Sequence, residues 1–344
     1  MHVTPDTWPL TVRLLQFLAG LGTALLMAWA GHRAWGADKT LVTAFVLACP
    51  TLIYVTSTIQ TEALGSLVLA AYFLTCLATL KSDRLSTWGF ANGALLGLAT
   101  LFRWAAPALA PVSLFVLWRR KNPGAALWFA LGSLLVLGPW VGRNWIVFGQ
   151  PRLSTFGSLS LVAGLLDPQG RTQPGTSERM IAALGWSLSD YERNDRDPAL
   201  PNETEAERHA FRVWRKLIAQ ERLAHLVALQ VHKLGWYWLS TEMISNTQSL
   251  SSTVRLARTV MVGIWWGYLV LAGVGFAALL HRKETNLATV LGLWFLLATL
   301  SHWPFCMNTR LRIPFVDAPL ALLAAYGFER AGHFRLRRSS QVQD

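Results

Sequence analysis

The sequence predicts an all-α, polytopic integral membrane protein, and three observations carry that prediction. Of 344 residues, 53% are hydrophobic and only 15% charged, against roughly 45–50% and 25% in a soluble domain. Apolar runs near the roughly 20 residues needed to cross a hydrocarbon core recur along the whole chain, which excludes a soluble domain with one anchor and a signal-peptide protein. There are 17 Trp, and Trp88, Trp104, Trp118, Trp140 and Trp145 lie near the ends of apolar runs, the pattern of an interfacial aromatic belt.

Apolar runs bounded by charge or turn residues predict about nine spans: 11 to 30, 40 to 58, 61 to 80, 87 to 102, 104 to 118, 124 to 141, 259 to 280, 287 to 303 and 313 to 328. The fourth and fifth are short and also read as one hairpin. Charge alternates between the connections. His32-Arg33 to Lys39, Lys81 to Arg84, Arg119-Arg120-Lys121, Arg282-Lys283 and Arg335 to Arg338 fall on one side, which the positive-inside rule makes cytoplasmic. The opposite side then holds the Ser57 to Thr61 turn, Arg103, the stretch from Gly142 to Arg258, and Ser301 to Arg312. The chain is thus expected to begin outside and end inside. That arrangement asks the first span alone to push a short tail across the membrane, so one or more upstream spans are expected to be missing; a genuine N-out chain is the alternative.

The expected organisation is N-terminal membrane helices over 1–141, an extracytoplasmic segment over 142–258, C-terminal membrane helices over 259–330 and a basic cytoplasmic tail over 331–344. Residues 150 to 202, rich in Gly, Pro, Ser, Asp and Arg, read as irregular loop with short helices. Thr204-x-x-Glu207 then reads as a capping box. It opens a basic amphipathic helix over 204–222, with Phe211, Trp214, Leu217 and Ile218 on one face and Arg208, Arg212, Arg215 and Lys216 beside them, suited to a membrane surface.

The net charge of +12 admits nucleic acid, anionic lipid or a phosphorylated substrate as partner. Its distribution decides, because most of it lies in cytoplasmic flanks or on the surface helix and no groove-reading motif occurs; nucleic acid is excluded as a partner. Cys49, Cys76 and Cys306 have no metal-ligand spacing, so neither a zinc site nor a disulfide scaffold is indicated. A divalent cation stays open as a cofactor, without an evident ligand cluster.

Chemistry is expected where ionisable groups gather at span ends on one face. Glu62 opens the third span; it reads as a base, a metal ligand or an orienter of a substrate group, or else as an N-terminal acid favoured by the helix dipole. Arg103, Arg143, Arg310 and Arg312 reach the same expected side, a set that suits a phosphate gripped bidentately, each singly also readable as a snorkelling anchor. His232 and His302 read as packed or interfacial, and Asp317, inside the last span, needs a partner such as Arg312.

The run Pro139-Trp140-Val141-Gly142-Arg143-Asn144-Trp145-Ile146-Val147-Phe148-Gly149 with Leu153-Ser154-Thr155 resembles the PW-x-x-RN-x-x-x-FG element of GT-C glycosyltransferases. These are the bacterial relatives of dolichyl-phosphate-mannose-protein mannosyltransferases and of the lipid A aminoarabinose transferase. Val12 to Gln16, Pro50 to Glu62, Gly97 to Arg103 and Arg310-Leu311-Arg312-Ile313-Pro314 follow the family's order over nearly the whole chain. Leu311 stands where the family has Tyr, and Phe156-Gly157-Ser158 replaces its Asn/Gly-rich turn.

The resemblance implies a polyprenyl-phosphate sugar as donor, a lipid, glycan or protein acceptor, and an inverting displacement at the outer face of a bacterial inner membrane. It implies Glu62 as catalytic acid or base, and Arg103, Arg143, Asn144, Thr155, Arg310 and Arg312 as substrate-binding residues. The family's principal catalytic Asp precedes the first segment that matches here, so the resemblance implies an enzyme without its main base. A non-catalytic remnant or accessory protein that binds polyprenyl phosphate is the alternative. A secondary transporter would need midplane polar groups in repeated halves, and no repeat is visible.

Overall fold

A computed structural model describes residues 8–57, 61–153, 157–166, 179, 182–185, 203–241, 252–305 and 309–341, and among these every regular element is a helix. Seven helices are long and apolar enough to span a membrane, or up to eight if one bent pair counts as a span. The chain is an integral membrane protein of the all-α class. The expected nine spans are corrected at two places. Lys39–Leu47 (α2) and Pro50–Ser57 (α3) form the expected second span but meet at a 64° bend. Pro50 can donate no backbone hydrogen bond, which is why the helix breaks there. The expected fifth span begins as a 3-10 turn, Ala106–Leu109, before helix α6, Ala110–Arg119. Arg103 has left helical geometry, and the fourteen or so residues that follow rise only about 21 Å, short of the roughly 30 Å core.

Contacts divide the chain into two units. The first comprises Met1–Pro139, Ala257–Ala298 and Arg312–Asp344; the second comprises Trp140–Leu256 and Thr299–Leu311. In the first, α4 (Glu62–Lys81) lies against α1 (Trp8–Trp35) and α5 (Leu85–Phe102), and α2 against α1 and the last helix, α14 (Ala318–Gln341). The most apolar stretch is 72% buried in α4 and 89% in the last span, but only 28% in α1, which leaves Leu10, Leu14, Phe17 and Leu18 exposed. Helices apolar all round belong in the middle of a bundle, and exposed apolar faces belong against lipid.

Polar side chains tie these helices together. Tyr72 of α4 donates to the Leu109 carbonyl and meets Ser113 Oγ of α6 at 2.8 Å, Cys76 Sγ lies 3.3 Å from the same hydroxyl, and Asn92 of α5 donates to Thr79 Oγ1 at 3.1 Å. Backbones also approach closely where glycine allows it. A Cβ on Gly93 of α5 would strike the Phe129 backbone of α7 (Pro123–Phe148), and one on Gly327 of α14 would strike the Leu271 carbonyl of α11 (Ser252–His281). Small residues at such crossings and hydrogen bonds between helices are the usual glue in a bilayer, where lipid tails supply no hydrophobic drive.

One end of this unit collects the cationic connections. Lys81 Nζ donates to the carbonyls of Arg33 and Ala34, Arg120 to the Ser82 carbonyl and Asp83, and Arg119 to Asn286 of α12 (Thr285–His302). The ends of α1, α4, α6 and α12 that carry the expected cytoplasmic charge thus meet.

In the second unit, α7 runs on through Pro139 to Phe148, past the expected limit at 141. Helices α8 (Gly157–Leu166) and α9 (Glu203–Gln220) enclose Val162, Leu184 and Ala210, with Val213, Trp214 and Leu217 against them. The expected surface helix therefore turns much of its apolar face onto α8, while Phe211 stays exposed and stacks on Trp214. The expected capping box is also corrected: α9 begins at Glu203, and Glu207 accepts from the Ser158 backbone N–H at 2.8 Å and its hydroxyl at 2.9 Å, serving the open N-terminus of α8. A further helix, α10 (Leu223–Leu239), was not expected.

Candidate functional site

In the first unit the acid and one cation of the expected set come together. Glu62 is the first residue of α4 and fully buried, and Arg103 leaves the end of α5. An Arg103 terminal nitrogen lies 2.7 Å from Glu62 Oε1, with the arginine side chain 14% exposed and the glutamate 0%. Gly65, one turn into α4, faces this pair with room for a Cβ in ordinary van der Waals contact. A Cβ there would stand 3.5 Å from Arg103 Cγ, 3.6 Å from Nε and 3.8 Å from Pro314 Cβ.

Pro314 belongs to a π-helical turn, Ile313–Asp317, between α13 (Thr309–Arg312) and α14. Arg312 is a different case from Arg103. It is fully buried, its Nε donates to Asp317 Oδ1 at 2.8 Å, and its guanidinium carbon sits 3.9 Å from the Trp265 ring centroid. Thr51, on the first turn of α3, donates a short hydrogen bond to the other carboxylate oxygen, and Cys49 Sγ lies 3.3 Å from the Thr51 hydroxyl. The partner expected for Asp317 is the one it has.

In the second unit the motif around Trp140 folds as a corner. Gly149, with φ of +68°, reverses the chain after α7, a conformation glycine adopts without penalty. Asn144 Nδ2 then donates to the Arg152 carbonyl at 2.8 Å and Trp140 Nε1 to the Leu153 carbonyl at 3.1 Å, so the returning strand is held by two side chains of the helix it left. Arg143 is exposed; it donates to Asn144 Oδ1 at 2.8 Å and lies over the Trp140 and Phe148 rings at 5.3 and 5.8 Å. Asn144, expected to bind substrate, spends both ends of its amide on this corner.

Arg310 is half-buried in the second unit, and Thr155 lies outside the described residues. Of the four arginines expected around one ligand, Arg103 and Arg312 belong to the first unit and Arg143 and Arg310 to the second. Within the first, Arg103 and Pro314, of the turn that Arg312 anchors, both lie within 4 Å of where a Cβ on Gly65 would stand. Among the described residues no group of three His, Cys, Asp or Glu side chains is arranged to hold a metal.

Sequence reasoning missed a second buried polar group in the second unit. Lys233 of α10 is fully buried with Nζ 3.3 Å from the Trp303 carbonyl, and Tyr237, one turn on, stacks on His302 at 5.7 Å. The i, i+4 spacing of Lys233 and Tyr237 was a visible signal; their pairing with His302 was not.

No family model matches the chain, and no curated protein does. Among solved structures, the crystal structure of ArnT from Cupriavidus metallidurans in the apo state is similar at 16% identity and a TM-score of 0.33. The match covers 92% of this chain and 62% of that one, so the chain spans less than two thirds of that protein's length. A likeness of this extent bears on neither reaction nor site.

Proposed function

We propose that the chain is a GT-C-type membrane glycosyltransferase that moves a sugar from a polyprenyl-phosphate donor to an acceptor outside the cytoplasm. The observation that carries the reading is the Glu62–Arg103 contact: an acid and a cation delivered by two span ends, the acid sealed and the arginine side chain 14% exposed. The order of motifs along the chain and the exposed Arg143 on its aromatic bed support it.

In this reading the two charges neutralise each other at rest, which keeps a buried carboxylate tolerable. A lipid phosphate competes for Arg103 and so frees Glu62. The acceptor oxygen attacks the anomeric carbon, the bond from that carbon to the phosphate oxygen breaks, and the electron pair leaves with polyprenyl phosphate. Glu62 takes the acceptor proton, and Arg103 offsets the charge on the leaving phosphate. Asn144 keeps Arg143 in place through the bond already described.

One observation favours a second reading, in which the protein binds polyprenyl phosphate without turning it over: Glu62 has no exposed surface. Full-length protein in nanodiscs, supplied with a panel of polyprenyl-phosphate sugars, separates the two by release of polyprenyl phosphate. Glu62→Gln is expected to slow release by roughly 10²–10⁴. Equal rates for the variant and its parent would remove Glu62 as the base, and binding without release would favour the second reading.

A further inference from the structure

The first unit contains two interruptions of helical geometry, and one buried cluster joins them. The first is the 64° bend between α2 and α3, where Ala48 and Cys49 precede Pro50. The second is the π-turn Ile313–Asp317 that leads into α14. Each interruption frees backbone carbonyls, and each recruits an aromatic donor: Tyr268 hydroxyl gives to the Phe45 carbonyl at 2.7 Å, and Trp294 Nε1 to the Phe315 carbonyl at 2.5 Å. Breaks in apolar surroundings survive only when such groups are satisfied again.

Asp317 stands where the two breaks meet. Its carboxylate takes Arg312 on both oxygens, Nε on Oδ1 at 2.8 Å and Nη2 on Oδ2 at 3.4 Å, and Thr51, from the first turn after the bend, also on Oδ2. All three side chains are fully buried. The same π-turn carries Pro314, whose Cβ lies across Gly65 from the Arg103 side chain. The turn and the Arg103 side chain thus share the space beside Gly65, one turn along α4 from Glu62.

We infer that Asp317 is a positioning residue: by clamping Thr51 and Arg312 together it fastens the bend of the second span to the π-turn and so sets the Arg103–Glu62 pair. Arg312 belongs to this clamp and makes no contact with the ligand. The inference rests on the proposed lipid-phosphate site only where it claims an effect on ligand binding; the clamp itself does not depend on it.

Two natural thiols report on the clamp. Cys49 touches Thr51, whereas Cys76 is buried in the separate network with Ser113. Full-length protein in nanodiscs is treated with N-ethylmaleimide, and modification of each cysteine is followed by peptide mass spectrometry. Thr51→Val removes one hydrogen bond to a charged group without changing side-chain shape, and Cys49 should then react roughly tenfold faster. Cys76 should keep its parental rate, which general loosening of the fold would not allow. The double substitution Arg312→Met with Asp317→Leu replaces the ion pair by apolar groups of similar volume, an exchange that buried pairs tolerate. It should also speed Cys49 alone.

Affinity for a short-chain polyprenyl phosphate is measured on the same samples, and both variants should bind it more weakly by a similar factor. If Cys49 keeps its parental rate in Thr51→Val, or Cys49 and Cys76 accelerate together, the clamp is overturned, whether or not the double variant folds. If only the double variant loses affinity while Cys49 stays protected, Arg312 contacts the ligand and the clamp is again wrong. If Cys49 alone accelerates and the parent binds no polyprenyl phosphate, the clamp stands and the proposed function fails.

Discussion

Among the described residues of the first unit, two arginine–carboxylate pairs with a fully buried acid have nearly equal lengths, 2.7 Å for Arg103–Glu62 and 2.8 Å for Arg312–Asp317, yet their settings differ. Arg312 and Asp317 are both sealed, with a threonine hydroxyl and a Trp ring completing the enclosure. Arg103 keeps 14% of its side chain exposed. A sealed pair has no route to exchange partners, so its charges can only hold structure. A pair with one accessible member can trade its partner for an incoming anion, at a cost set by how easily the cation turns outward. Chemical identity and distance are shared; access separates the roles.

The sharpest way to break this comparison is to remove each acid. Asp317→Ala leaves Arg312 sealed without its counter-charge and is expected to cost about 3–5 kcal/mol of stability. Glu62→Ala should cost less, about 1–3 kcal/mol, because the Arg103 side chain is only partly enclosed. Denaturation in detergent measures both, and equal losses would erase the distinction drawn from exposure.

The next test sharpens what access means for binding. Arg143, exposed in the second unit, is expected to contribute one charge-assisted hydrogen bond of about 1.5–3 kcal/mol, so Arg143→Ala should weaken polyprenyl-phosphate binding roughly 10-fold to 150-fold. Arg143→Lys should recover part of it, since a lysine lacks the planar fork. Arg335→Ala in the basic tail carries the same charge change and should leave affinity unaltered; matching losses would reduce the effect to net charge.

Two smaller effects compare the ways in which the units are held. In the first unit, Gly93→Ala places a Cβ against the Phe129 backbone and should destabilise by about 1–3 kcal/mol, the usual range for overpacking. In the second unit, Trp140→Phe keeps the ring beneath Arg143 but deletes the bond to the Leu153 carbonyl, for about 0.5–1.5 kcal/mol. Thermal unfolding ranks them. A loss of phosphate affinity in Trp140→Phe as large as in Arg143→Ala would mean that the corner positions the arginine more than the ring does.

Much of the fold was legible beforehand, because the cue that marks a span is carried by the span itself. The runs 61 to 80 and 259 to 280 match the apolar spans Glu62–Lys81 and Thr259–His281 within one residue. Two expected spans are interrupted at prolines, the second bent at Pro50 and the fifth shortened at Pro107, where a run of apolar residues continues but the backbone ladder does not. The candidate site was legible to the level of residue type. Glu62 and Arg103 were identified as span-end groups, and Asp317 was expected to need Arg312; Arg312 itself was expected at a ligand and instead lies sealed with that acid.

The sequence by itself determined that this protein is a bundle of apolar helices with its cations sorted between connections, because hydropathy and charge are sums over neighbouring residues. Only the tertiary structure decided partnerships. Thr51 reaches Asp317 across 266 positions, Tyr72 reaches Ser113 across 41, and Glu207 leaves its own helix start to serve Ser158, 49 positions back. Exposure was decided there too, since whether an arginine is sealed or reachable depends on every helix around it. A side chain's chemistry is local, but its access to water and its choice among equivalent partners are properties of the packed whole.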